Sequence, residues 1–103
     1  MNKIKAVYDL TEFPANAVKV TADNPKPEGL KHSFGSIPKI GDAVYVTMNQ
    51  LGPGIVEGFF VEYDYVGVIV RLNPATDPAW HKKQVKGTWH EGKALVFGAE
   101  VAL

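Results

Sequence analysis

The chain has 103 residues, 46% of them apolar, and its 11 basic and 11 acidic side chains cancel. That length supports one core, since two halves would each be too small to bury enough apolar surface, and balanced charge provides no net field to draw in DNA or an anionic membrane. Cysteine is absent, which removes a disulfide framework, a thiolate zinc site and a cysteine nucleophile together and fits a reducing cytosol.

From the amino terminus, MNKIKAVYDL reaches Asp9 without an apolar run long enough for a signal-peptide core, and no later stretch approaches a membrane span. The reading is cytoplasmic, with no membrane association. Ile4 to Leu10 and Val18 to Ala22 carry apolar residues at every second place, as half-buried strands do. Between them Thr11-Glu12-Phe13-Pro14 forms a turn, because Pro14 fixes its own φ and biases Phe13 away from the helical region. Asn24 to Pro38 holds three prolines and two glycines, too many for a ladder or a helix, and reads as an ordered surface loop pinned by Phe34 and Ile37.

Gly41 to Leu72 reads as three consecutive strands. Val44 and Val46 alternate with Ala43, Tyr45 and Thr47, Asn49 to Gly54 is a turn, and Ile55 to Val61 is rich in β-branched and aromatic residues. Gly58 interrupts this run and marks a bulge or sharp bend. Tyr63-Asp64 is the tip of a hairpin, from which Val66, Val68, Val70 and Leu72 return with period two. Lys93 to Leu103 closes the chain as a last strand.

The order of GDAVYV, GIVEGFF and VGVIVRL resembles small SH3-like barrels, with a layout similar to KOW and Tudor-like domains and to the small barrel dihydrofolate reductases. The resemblance covers about residues 40 to 103. It implies a single all-β domain: a small SH3-like barrel of about five strands over residues 41–103, and an amino-terminal strand and loop extension over residues 1–40. It does not carry a function across. The reductase motif Val-Gln-Ile-Tyr has no counterpart, since the corresponding strand reads Ala94-Leu95-Val96-Phe97, and the basic residues of the KOW turn are replaced by Asn49, Gln50 and Leu51.

The densest chemistry runs from Pro78 to His90, with both tryptophans, two of the three histidines and three lysines. Trp80, Lys82, Lys83, Lys86 and Trp89 have the composition of a single-strand or RNA contact, where cations meet phosphates and rings stack on bases. Tryptophan also anchors protein interfaces. Alternatively, Trp80 and Trp89 cap the open ends of the barrel. His81 and His90 lack the spacing that presents two rings to one metal ion, with or without His32, so neither metal nor cofactor is expected. No serine or cysteine is placed beside them as a nucleophile, which speaks against catalysis. On the hairpin, Glu62 and Asp64 are two apart and read as one outward, solvated side that discourages edge pairing, or as an acidic docking surface.

The expected function is therefore non-catalytic recognition of a protein partner through the loop 78–90 (Trp80, His81, Lys82, Lys83, Lys86, Trp89, His90) and the hairpin 57–65 (Glu62, Asp64). Nucleic-acid binding through the Trp/Lys loop is the alternative. A small-molecule pocket shared in an oligomer is a third reading, with the chain a monomer or a homodimer.

Overall fold

A computed structural model describes residues 6–7, 17–35, 37–88 and 91–102. The expected turn at Thr11-Glu12-Phe13-Pro14, together with Trp89 and His90, lies outside them. The class is all-β with one short helix: β1 (Ala6–Val7), β2 (Val18–Lys19), β3 (Lys31–His32), β4 (Ala43–Val46), β5 (Gly52–Glu62), β6 (Tyr65–Leu72), α1 (Ala79–Val85), β7 (Lys93–Val96) and β8 (Val101–Ala102). These make one eight-stranded sheet whose main path is β2-β3-β6-β5-β4-β8, with β1 added on β5 and β7 on β6. Five of these strands, β4 to β8, lie in residues 41–103, the number expected there, and the amino-terminal extension adds β1, β2 and β3, the last inside the segment 24–38 expected as a loop. The closing run is also divided. A tight 3-10 turn at Gly98–Glu100 separates β7 from β8, held by Glu100 Oε1 accepting the Phe97 N–H at 2.8 Å.

The β5–β6 hairpin is the spine, and its bulge decides what lies where. Val56 pairs with Val70, but the register then shifts so that Gly58 pairs with Ile69 and Phe59 with Val68. Before the bulge the core side of β5 is carried by Val56, and after it by Phe59 and Val61. One inserted residue thus moves Phe60 and Glu62 to the opposite face, with Tyr65, Gly67 and Ile69 of β6. The first face buries Val44, Val46, Val56, Phe59, Val68, Val70, Leu72 and Val96, closed by Phe34 and Leu51. Burying each such side chain contributes about 1.5–3 kcal/mol against leaving it in water. Phe34 therefore pins the proline-rich loop as expected, whereas Ile37 does not: it is 42% exposed.

The hairpin tip is strained. Tyr63 (φ 52°) and Asp64 (φ 66°) both lie in the left-handed region, the geometry of a two-residue primed turn that Asn-Gly adopts most readily. A bulky aromatic residue there costs about 1–3 kcal/mol. The backbone holds it by pairing β3 beside the tip, where the Lys31 N–H donates to the Asp64 carbonyl at 2.9 Å. The double exchange Tyr63→Asn with Asp64→Gly is expected to stabilise the fold by about 1–2 kcal/mol. A urea midpoint moved upward at unchanged m would verify it; an unmoved or lower midpoint would show that the tyrosine ring compensates for its own strain.

β2 and β3 pair in parallel, with Lys19 opposite His32. His32 is buried, and its Nδ1 accepts the Phe34 N–H at 3.3 Å. Burial, and secondarily the charge of Lys19, lowers its pKa below the usual imidazole value. Below about pH 6.5 the unfolded chain therefore binds a proton that the folded chain resists. Stability is fully present above that pH and falls on acidification, until the folded imidazole protonates as well. Denaturant titrations at pH 7.5 and 5.5 are expected to show this decline in the wild type and a smaller one in His32→Asn. Equal declines in the two proteins would remove His32 as the cause.

Candidate binding cavity between the hairpin and the helix

The second face of the sheet carries the unusual chemistry. Phe60 lies opposite Gly67 across the β5–β6 ladder, and its ring occupies the space a side chain at Gly67 would need: a Cβ there would stand 2.5 Å from Phe60 Cζ and 2.6 Å from the Val96 carbonyl oxygen. The glycine thus lets the ring lie flat on the strand. Phe97, immediately after β7, packs on it with ring centroids 5.1 Å apart at 56°, and Tyr65 meets Phe97 edge-on at 6.2 Å. Such tilted and edge-on pairs are the preferred aromatic contacts. Farther along this face, Glu57 binds Arg71 Nη2 at 2.9 Å and Lys93 Nζ at 3.4 Å, an ionic patch on the solvent side.

The segment 78–90, expected as a loop, contains α1. Pro78 stands just before it, where a residue without an N–H loses nothing, and its carbonyl accepts the Lys82 N–H at 3.0 Å. Seven residues are too few to display a helical period in the sequence. The helix is tied to the chain before it by a buried hydrogen bond from His81 Nδ1 to Asp77 Oδ1, 2.8 Å, and by Lys82 Nζ donating to the Pro74 carbonyl at 2.7 Å. Lys83 and Lys86 are exposed. Trp80 is 49% exposed, so it does not cap the core; it stands edge-on to the His81 ring at 5.7 Å.

Two cavities open on these elements. One, of about 700 Å³, is lined by Phe60, Glu62 and Phe97 and, from α1, by Trp80, His81, Gln84 and Val85. The other, of about 470 Å³, is lined by Ser33, Glu62, Tyr63, Tyr65, Phe97, Ala99 and Glu100. Glu62, Phe97 and Glu100 belong to both.

Glu62 departs from expectation. It was to point outward beside Asp64, yet it is only 6% exposed, while Asp64 sits exposed in the turn. The bulge explains the difference, because it places Glu62 on the aromatic face, directly across from Tyr65. Its Oε2 is buried without a hydrogen-bond partner among the described residues. Leaving such an acceptor unsatisfied costs about 1–3 kcal/mol.

The Asp77–His81 pair is the arrangement by which a carboxylate fixes the orientation of an imidazole. None of the described residues lining the larger cavity is a serine, threonine or cysteine that the ring would activate. His32 lies on β3 and His81 on α1, and among the described residues no group of three metal-ligating side chains comes together. No helix among them is long and apolar enough to cross a membrane. The residues that sequence reasoning passed over are Phe60, Tyr65, Phe97, Glu100 and Asp77. For Asp77 a signal was present, the spacing of four to His81; for the aromatic residues the only cue was a glycine facing a phenylalanine, which needs the register to be known.

Set against protein-family models, curated proteins and solved structures, the chain matches none of them.

Proposed function

We propose that this chain is a non-catalytic binding protein, a variant of the SH3-like layout acting in the cytosol, that takes a segment of a protein partner into the larger cavity. The observation that supports this reading is the lining of that cavity: Phe60 and Glu62 from the hairpin and Trp80, His81, Gln84 and Val85 from α1 border one space of about 700 Å³. Phe60 and Phe97 supply an apolar wall, and the exposed indole of Trp80 is the kind of anchor that dominates binding energy at interfaces. Peptides selected on the immobilised protein from a displayed random library are expected to bind Trp80→Ala at least about tenfold more weakly and Arg71→Ala, on the ionic patch, unchanged. If Trp80→Ala retained full affinity for every selected peptide, the reading would fall.

Nucleic-acid binding is favoured by one observation, the exposed Trp80 three positions before exposed Lys83 on the same helix. It requires oligonucleotide affinity that drops steeply with salt. An absence of binding at low salt eliminates it.

A further inference from the structure

The buried Glu62 Oε2, without a hydrogen-bond partner among the described residues, points to a ligand that carries a donor. A carboxylate oxygen enclosed by protein and left without a donor is a standing cost, which a bound donor would relieve. The walls around it narrow the choice of donor. In the smaller cavity Glu62 is joined by a second carboxylate, Glu100, and by the rings of Tyr63, Tyr65 and Phe97, and none of its described lining residues is basic. One oxygen of Glu100 is already engaged by the Phe97 N–H, which fixes that side chain in place. Aromatic faces attract cations through their quadrupoles, most strongly where water is excluded. Among the described residues two cations lie near: Lys93, which lines the larger cavity with Glu62 and is paired with Glu57 at 3.4 Å, and Lys31, whose Nζ donates to the Gly29 carbonyl at 3.2 Å and stands 5.6 Å from the Tyr65 centroid; neither bonds Glu62 Oε2.

We propose that Glu62 is the anchor of an ammonium-binding subsite, and that the group it takes is a lysine side chain on the bound partner segment; this rests on the reading of the adjoining cavity as a peptide groove. On binding, the Glu62 carboxylate turns its enclosed oxygen toward the cavity to accept from the ammonium, whose charge meets those of Glu62 and Glu100 and whose methylene stem lies along Phe97 and Phe60. An N–H donor is essential to this geometry. Charge alone would not satisfy the orphaned oxygen.

The test uses the whole chain and NMR titration with Nα-acetyl-lysine methylamide, its norleucine counterpart, n-butylammonium and tetramethylammonium. The lysine compound is expected to shift the resonances of Glu62, Tyr65 and Phe97 with a dissociation constant on the order of 1 mM, as befits a small fragment. Norleucine and tetramethylammonium, which lack an N–H donor on the side chain or cation, are expected to bind at least about tenfold more weakly, and Glu62→Gln to weaken lysine binding by a similar factor. A lysine-centred dodecapeptide should bind at least about tenfold tighter than n-butylammonium, since a peptide also fills the groove. Equal affinity of those two would reassign the subsite to free amines and overturn the protein-borne lysine. Norleucine binding as well as lysine would overturn the subsite, yet leave the groove standing if Trp80 still responds to selected peptides. No shift with any amine also overturns it. Comparing tetramethylammonium with n-butylammonium on the unaltered protein keeps the test valid should Glu62→Gln fold poorly.

Discussion

Replacing Gly98 by alanine is expected to destabilise the protein by about 3 kcal/mol, the upper end of the usual cost of forcing extra volume into a packed site. A Cβ on Gly98 would fall well inside van der Waals contact with the Ser33 carbonyl and the Phe34 nitrogen. These are backbone atoms, so no rotamer change relieves the clash. Ser33 and Phe34 also cannot retreat cheaply, because Phe34 is part of the core and its N–H is bonded to His32. For a domain of this size the change corresponds to a fall of roughly 15 °C in melting temperature. Gly35→Ala is the control: its Cβ would meet nothing within 4 Å, and its melting point should stay within a few degrees. Ser33, Phe97 and Ala99 flank the clash and line the smaller cavity, so Gly98→Ala should also blunt the response to the lysine compound. Near-native stability of Gly98→Ala would mean that the proline-rich loop rests on the closing segment more loosely than the packing implies.

How much of this was legible in the sequence depends on the range of the interaction involved. The β5–β6 hairpin was readable because Val66, Val68, Val70 and Leu72 alternate strictly and because Tyr63-Asp64 interrupts two strand-like runs. Gly58 announced the bulge, yet its consequence was not legible. A bulge changes the phase of every residue beyond it, and whether Glu62 then faces water or an aromatic wall depends on what covers the second face, which local pattern does not encode. Phe97 and Glu100 were hidden for a related reason: the run from Ala94 to Leu103, broken only by Gly98 and Glu100, reads as one strand, and the 3-10 turn that splits it is held by a reciprocal pair of hydrogen bonds between Phe97 and Glu100 that spacing alone does not announce. The helix carrying Trp80 is hidden because seven residues are too few to display a helical period, and because its ties, His81 to Asp77 and Lys82 to the Pro74 carbonyl, are side-chain bonds to the preceding turn rather than a matter of helix propensity. The larger cavity takes Phe60 and Glu62 from 57–65 and Trp80, His81, Gln84 and Val85 from 78–90, but also residues of 48–51 and 93–100 that carry no such signal, while Asp64, Lys82, Lys83 and Lys86 do not line it. Trp, His and Glu are expensive to place, and their clustering in 57–65 and 78–90 was visible without knowing the geometry.

Exchanging Glu62 for methionine is expected to raise stability by about 1–3 kcal/mol while abolishing the response to lysine. The gain follows from the unmade hydrogen bond: Oε2 is buried without a partner among the described residues, and a thioether chain of similar volume fills the same space with nothing to desolvate. Each kcal/mol should add about 4–8 °C to the melting temperature. Glu62→Gln separates the two effects, because the amide keeps the shape but brings polar atoms that also need partners; it should melt near the wild type and still bind the lysine compound at least about tenfold more weakly. Opposite movements of stability and binding distinguish a recognition residue from a structural one, since an acceptor needed only by the fold would lower stability when removed. A drop of more than about 1 kcal/mol in Glu62→Met would show that the carboxylate already serves the fold. In that case the subsite loses its anchor, and the aromatic face of Phe60, Tyr65 and Phe97 becomes packing alone.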